Sequence, residues 1–108
     1  MACPYFYPEG RIDVSPKPAR APLGDVFHGR CELGGSSKWE HCNFGYASGC
    51  CDTFPKDASI DAVRFSCVNG DTIYILEKNH MPVGHGNALT LNGAKARQAQ
   101  VFREWLAK

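Results

Sequence analysis

The six cysteines of this chain stand at positions 3, 31, 42, 50, 51 and 67, and no two of them are separated by the two residues of a C-x-x-C pair. Apart from the adjacent Cys50 and Cys51, each occupies its own stretch of backbone. If four of the first five meet, they tie distant pieces of chain to one centre, and the first half must fold by wrapping around it. The expectation is a first half, Cys3 to Cys51, organised around its cysteines rather than around an apolar core. A chain of 108 residues is one domain by length, and a domain of that size gains from a cross-link because its apolar core is modest.

What kind of cross-link depends on compartment. Met1-Ala2-Cys3-Pro4 leads into an aromatic, proline-punctuated segment with neither the basic start nor the apolar run of a secretory signal, so the expected location is cytoplasmic. In a reducing compartment, clustered cysteines read as metal ligands or redox groups before structural disulfides. The even count of six keeps a disulfide-stabilised secreted domain open as an alternative. No run of about 18 apolar residues suggests a membrane span. Twelve basic and eleven acidic residues nearly cancel and are scattered, which argues against a nucleic-acid or anionic-membrane footprint. The same lack of a basic stripe argues against reading the aromatic residues as a base-stacking platform.

The character of the sequence changes near Phe54-Pro55-Lys56-Asp57. One domain, 1–108, is expected with two lobes: a cysteine-rich cluster-binding lobe over 1–55 and a β-meander plus helix over 56–108. In the first lobe Pro4, Pro8, Pro16, Pro18 and Pro22 fix φ and remove donors, predicting an extended, partly polyproline-like path. Gly34-Gly35-Ser36-Ser37 and Gly45-Tyr46-Ala47-Ser48-Gly49 supply loops with only short helical turns. In the second lobe Ile60 to Cys67 alternates, with Asp61, Val63, Phe65 and Cys67 on one face. Asn69-Gly70 is the pair favoured in two-residue hairpins, and Thr72 to Glu77 returns. A third strand is expected from Asn87 to Leu91, after a connection through Asn79-His80-Met81-Pro82-Val83-Gly84-His85-Gly86. Asn92 is positioned to cap a helix from Ala94 to Ala107, whose i,i+4 pairs Val101/Trp105 and Phe102/Leu106 form a face for the sheet. The fold class that follows is α+β: an irregular cysteine-rich metal-binding lobe, then a small antiparallel β-meander and a C-terminal helix.

The ligand set favoured for a metal is Cys3, Cys31, Cys42 and Cys51. Four thiolates suit tetrahedral zinc or a 4Fe-4S cluster. Zinc ribbons and knuckles usually draw ligands in close C-x-x-C pairs, absent here, whereas the long intervening stretches 4–30, 32–41 and 43–50 suit a larger group with four corners. Cys3-Pro4-Tyr5-Phe6-Tyr7-Pro8 and Cys51-Asp52-Thr53-Phe54-Pro55 both read C-x-x-F with a following proline. The Cys-Pro step is similar to one at cluster ligands of bacterial ferredoxins. Tyr5, Phe6, Tyr7, Phe44, Tyr46 and Phe54 offer aromatic cover that would exclude water and help set potential. Cys51 is preferred to Cys50 for its C-x-x-F match, although the adjacent pair could also act as a redox device. Cys67 reads as a small apolar core residue.

Cys3-Pro4-Tyr5-Phe6, Pro22-Leu23-Gly24-Asp25 before Cys31, Cys42-Asn43-Phe44-Gly45-Tyr46-Ala47 and the C-x-x-F-P run from Cys51 together resemble a group of uncharacterised small bacterial cysteine-rich proteins. That likeness carries no activity. In size and aromatic packing the first half also resembles high-potential iron-sulfur proteins, which carry a close C-x-x-C pair that this chain lacks.

His28 and His41 precede Cys31 and Cys42 and could add nitrogen ligands, though solvated loop positions explain them as well. His80 and His85 flank Met81-Pro82-Val83-Gly84 and could form a second metal or proton-transfer site, or simply a polar turn. No H-x-E with C-x-x-C suggests a zinc deaminase, no phosphate loop is present, and no base can be paired with a cysteine from sequence. Lys95, Arg97, Arg103 and Lys108 are expected on the solvated face of the C-terminal helix, where they could meet an acidic redox partner. The functional expectation is a non-enzymatic electron-transfer or redox-sensing protein with one 4Fe-4S cluster and a redox partner. A zinc-stabilised protein-interaction module is the alternative.

Overall fold

The computed structural model describes residues 2–16, 23–35 and 39–107; Met1, Pro18, Pro22, Ser36, Ser37 and Lys108, named above, lie outside them. In chain order the elements are β1 (Phe6–Arg11), β2 (Phe27–Cys31), the one-turn helices α1 (Trp39–Cys42) and α2 (Ala47–Cys50), β3 (Ala62–Val68), β4 (Asp71–Lys78), β5 (Met81–Asn87) and α3 (Gly93–Leu106). Strands β1 and β2 form one antiparallel sheet, and β3-β4-β5 form a second. The fold is α+β, with a C-terminal helix after a β-meander.

Over Phe6–Arg11 the extended, proline-containing path of the first lobe is half of a hairpin. Phe6 faces Cys31, Tyr7 faces Arg30 and Pro8 faces Gly29, with a bulge between Pro8 and Gly10. A proline in a ladder is tolerated at an edge or a bulge, where its missing donor is not needed. Gly29 is required by this pairing, because a Cβ there would collide with the Tyr7 carbonyl oxygen.

In the meander, Asn69 and Gly70 both take positive φ (52° and 84°), as the two-residue turn demands. Asn79 and His80 do the same at the next reversal (51° and 66°). That second tight turn corrects the expected connection: the chain reverses directly after Lys78, so the third strand is Met81–Asn87, and 88–90 is a 3-10 turn. Pro82 sits where the register slips opposite Leu76 and Glu77. Gly84 and Gly86 leave room for Leu76 and Tyr74 across the inner face. Cys67 also departs from expectation. It shares a face with the buried Val63 and Phe65 but is itself exposed, because its partner Thr72 is one step from the hairpin tip, beyond the reach of the core.

Helix α3 covers both sheets. Phe102 stacks on Phe65 of β3 with ring centroids 5.7 Å apart, while Gln98 and Arg97 bond the backbone of the Cys3–Glu9 segment. Val101 and Phe102 are buried, whereas Trp105 and Leu106 are 40% and 44% exposed as the helix runs off the core. Arg97, expected in solvent, donates from Nε to the Pro8 carbonyl at 2.9 Å. Asn92 stands at the N-cap position without a side-chain cap bond. The Glu32 carboxylate, from the turn after β2, accepts the Ala94 N–H at 3.0 Å instead, placing negative charge at a helix N-terminus where it is favoured.

One apolar cluster joins Phe6, Leu23, Phe27 and Phe54 of the first lobe to Val63, Phe65, Val101 and Phe102, and it includes Cys3 and Cys42. The expectation of a first half without an apolar core is corrected by this continuity: two of the candidate thiols are part of the core. Among the described residues, no helix is long and apolar enough to cross a membrane.

Candidate metal centre

Each candidate cysteine is held by backbone bonds of its own. Ala2 and Val63 exchange N–H···O bonds of 2.9 and 2.8 Å, fixing the N-terminal segment to β3, and the Cys3 N–H donates to the Cys42 carbonyl at 2.8 Å. Cys3-Pro4-Tyr5-Phe6 then folds into a turn, the Phe6 N–H reaching the Cys3 carbonyl at 3.1 Å. Inside that turn the Tyr5 N–H points at the Cys3 sulfur. Gln98 clamps it from α3, its Nε2 donating to the carbonyls of Cys3 (2.8 Å) and Phe6 (2.7 Å).

Cys31 ends β2 at the start of a turn in which its N–H reaches the Gly35 carbonyl and its carbonyl accepts from Gly34. Gly34 has φ +95°, which an L residue would resist. The Leu33 N–H donates to the Cys31 sulfur at 3.4 Å. Because the Glu32 N–H bonds the Tyr5 carbonyl, the next pair along the ladder, Phe6 with Cys31, is the non-hydrogen-bonded kind whose side chains lie close together.

Cys42 closes α1, and Asn43 beside it is fully buried. The Asn43 side chain accepts from the Phe27 N–H (3.0 Å) and donates to the carbonyls of Phe27 (2.8 Å) and Trp39 (3.0 Å). It thereby imitates a strand partner and pins α1 to β2. Cys51 follows α2, its N–H on the Ala47 carbonyl at 2.8 Å, and its sulfur lies 2.9 Å from the Thr53 hydroxyl.

All four sulfur-bearing residues line one cavity of about 200 Å³, walled also by Tyr5, Phe6, Leu33, His41, Ala47 and Phe54. Tyr5 and Phe54 meet edge to face with centroids 5.5 Å apart. The depth is graded: Cys3 and Cys42 are 4% and 8% exposed, and Cys31 and Cys51 are half-buried. Burial pushes the Cys3 thiol up to about 12; the Tyr5 N–H opposes that rise, and the charges that Cys42, Cys31 and Cys51 would carry add to it. Cys3, Cys31, Cys50 and Cys67 are free thiols. His41 Nδ1 is buried with no hydrogen-bond partner among the described residues. Among those residues, no three His, Cys, Asp or Glu side chains are close enough to hold a single metal ion.

The cavity brings together Cys3, Cys31, Cys42 and Cys51 and excludes the others. Cys50 is exposed and does not line it. The aromatic cover is narrower than expected: Phe44 and Tyr46 stack on each other at 6.5 Å, and Tyr7 lies under the Arg30 guanidinium. His28 is exposed on β2. His80 occupies the second tight turn, and His85 lies on β5 in a separate depression with Arg64 and Ile75. Sequence reasoning misses Gln98, Glu32 and Asn43 as positioning groups; each reads locally as an ordinary polar residue, and only the tertiary fold aims it at a cysteine-bearing turn. No protein-family model, no curated protein and no solved structure matches this chain.

Proposed function

We propose that this protein binds one 4Fe-4S cluster through Cys3, Cys31, Cys42 and Cys51 and serves in single-electron transfer or redox sensing, without bond-making catalysis. The observation that carries this reading is the convergence of these four thiols, and no other cysteine, on one cavity. Its volume of about 200 Å³ compares with about 30 Å³ for a water molecule in the liquid, so it is space for a group of several atoms. Four thiols spaced around room of that size suit a cluster with four corners before a single zinc ion, whose ligands must be drawn onto one point. Such a group, when bound, supplies a reversible one-electron couple.

The chain's own residues do the rest. Four thiolates would hold the corners, and the Leu33 N–H, the Tyr5 N–H and the Thr53 hydroxyl lie at three of the sulfurs. Hydrogen bonds to ligand sulfur raise reduction potential, and the apolar wall of Tyr5, Phe6 and Phe54 limits water access. Because the Cys3 thiol is held protonated by burial, loading must displace its proton and weakens as pH falls.

Anaerobic purification followed by a visible spectrum and analysis for iron, sulfide and zinc tests the proposal. A brown protein with equal iron and acid-labile sulfide is expected. A colourless protein with one zinc would replace the cluster reading with the zinc-stabilised module, and a metal-free protein without free thiols would replace it with a disulfide framework.

A further inference from the structure

We infer that electrons pass through the Cys31–Cys51 side of this centre, and that the partner docking there is a redox protein with a positively charged face. The inference rests on the cluster reading above. Its geometric basis is the depth gradient. Cys3 and Cys42 are 4% and 8% exposed and embedded in the core, so an approach from their side must cross packed side chains. Cys31 and Cys51 are half-buried, and the cavity wall beside them is made of Leu33, 44% exposed, Gly35, Asp52 and Thr53. Electron tunnelling weakens steeply with distance, so exchange uses the side where the cover is thinnest.

Among the described residues, the charge at that mouth has one sign. Asp52 is exposed and lines the cavity, and no lysine or arginine is among the described lining residues. The described arginines of the cysteine lobe are engaged elsewhere: Arg11 with Asp25 at 3.2 Å, and Arg30 with Glu9 at 3.4 Å and over Tyr7. Glu32, next to Cys31, faces the N-terminus of α3. Four thiolates outweigh the positive charge of an iron-sulfur core, so the loaded centre adds to the negative potential at its mouth. The whole chain carries a formal charge of +1, and bulk charge would therefore choose an anionic partner. Local charge chooses a cationic one, and at short range in salt the local field dominates. Leu33, exposed on that wall, supplies an apolar contact. The step is outer-sphere: one electron passes between the partner's redox group and the centre, one is oxidised as the other is reduced, and no bond forms or breaks.

Two measurements test this. First, the reduced, loaded protein is oxidised by hexaammineruthenium(III), a cation, and by ferricyanide, an anion, across a range of salt. The cation's rate constant is expected to fall several-fold as salt rises, the anion's to rise, and Asp52→Lys to flatten or invert both trends. Flat or opposite trends in a visibly brown protein overturn the inference and leave the cluster reading standing, whereas a colourless protein sinks both. Second, the metal-free protein carrying Cys50→Ser and Cys67→Ser is treated with cationic and anionic methanethiosulfonates and mapped by tandem mass spectrometry. Cys31 and Cys51 should be modified before Cys3 and Cys42, and several-fold faster by the cationic reagent. Equal rates at all four thiols, or a preference for the anion, overturn the assignment of the mouth without reference to any bound cluster.

Discussion

Replacing Gln98 with methionine removes the amide that ties α3 to the Cys3 turn while keeping volume nearly constant. Gln98 is fully buried, and its Nε2 serves the carbonyls of Cys3 and Phe6. Two hydrogen bonds of about 1 kcal/mol net each are lost, and a carbonyl left without a partner adds about 1–3 kcal/mol. The Cys3 carbonyl keeps the Phe6 N–H, so only one carbonyl is stranded. That one is Phe6, whose place in a non-hydrogen-bonded pair turns its carbonyl away from β2 and toward α3. Against this, Gln98 Oε1 is already buried without a partner among the described residues, and deleting it returns about 1 kcal/mol. The balance is a loss of about 2–4 kcal/mol, or roughly 8–16 °C in Tm for a domain of this size. Gln98→Glu should cost more at neutral pH, because a buried carboxylate would face two carbonyl oxygens. Part of that cost should be recovered on acidification: protonation is favoured in the folded state, so stability is present at low pH and lost as pH rises through the raised pKa. Urea unfolding under reducing conditions, followed by far-UV circular dichroism, reads both variants. A methionine variant within about 0.5 kcal/mol of the parent, or a glutamate variant as stable as it, would refute the clamp.

Cys51→Ser should abolish cluster loading, measured as iron per chain and visible absorbance, whereas Cys50→Ser and Cys67→Ser should load normally; full loading of Cys51→Ser would move that corner to Cys50. Gly29→Ala should destabilise by about 1–3 kcal/mol, because the obstacle is the Tyr7 backbone, which cannot turn aside. Gly49→Ala, with open space around it in α2, should stabilise by about 0.5–1 kcal/mol, and thermal melts of the pair give the contrast. In the metal-free protein the Cys3 thiol, pushed up to about 12 by burial, favours folding while protonated. That contribution is complete below the ordinary thiol pKa and is lost as pH rises through it toward 12; stability of the parent should therefore fall faster with alkali than that of Cys3→Ala, in denaturant titrations from pH 8 to 11.

Much of the second lobe was legible because its signals are local. Asn69-Gly70 announces a turn through the φ each residue can reach, and alternation from Val63 to Phe65 announces a face. Asn79-His80 makes the same kind of turn without a glycine, so it passed for loop and displaced the third strand. Cys67 shows the other limit of a periodic pattern, which says which way a side chain points and not how far the core extends beneath it. The hairpin of β1 with β2 was hidden by Pro8, a residue that reads against a strand unless the bulge that accommodates it is known.

The cysteine lobe divides along similar lines. Which four cysteines line one cavity was legible from spacing and flanking residues, since Cys50 and Cys67 differ locally from the rest. What holds the turns in place could not. Gln98 and Glu32 are far apart in sequence, yet one clamps the turn of Cys3 and the other joins the turn of Cys31 to the first residues of α3. The terminal helix is thus a brace for two of the four cysteine-bearing turns as well as a lid on the meander. A cysteine lobe cut from its helix would keep every thiol and lose two of the supports that aim them, so the two lobes are expected to unfold together, with a single transition by circular dichroism and by thiol accessibility. Separate transitions, with the meander and helix persisting after all four thiols become reactive, would show that the brace carries no load.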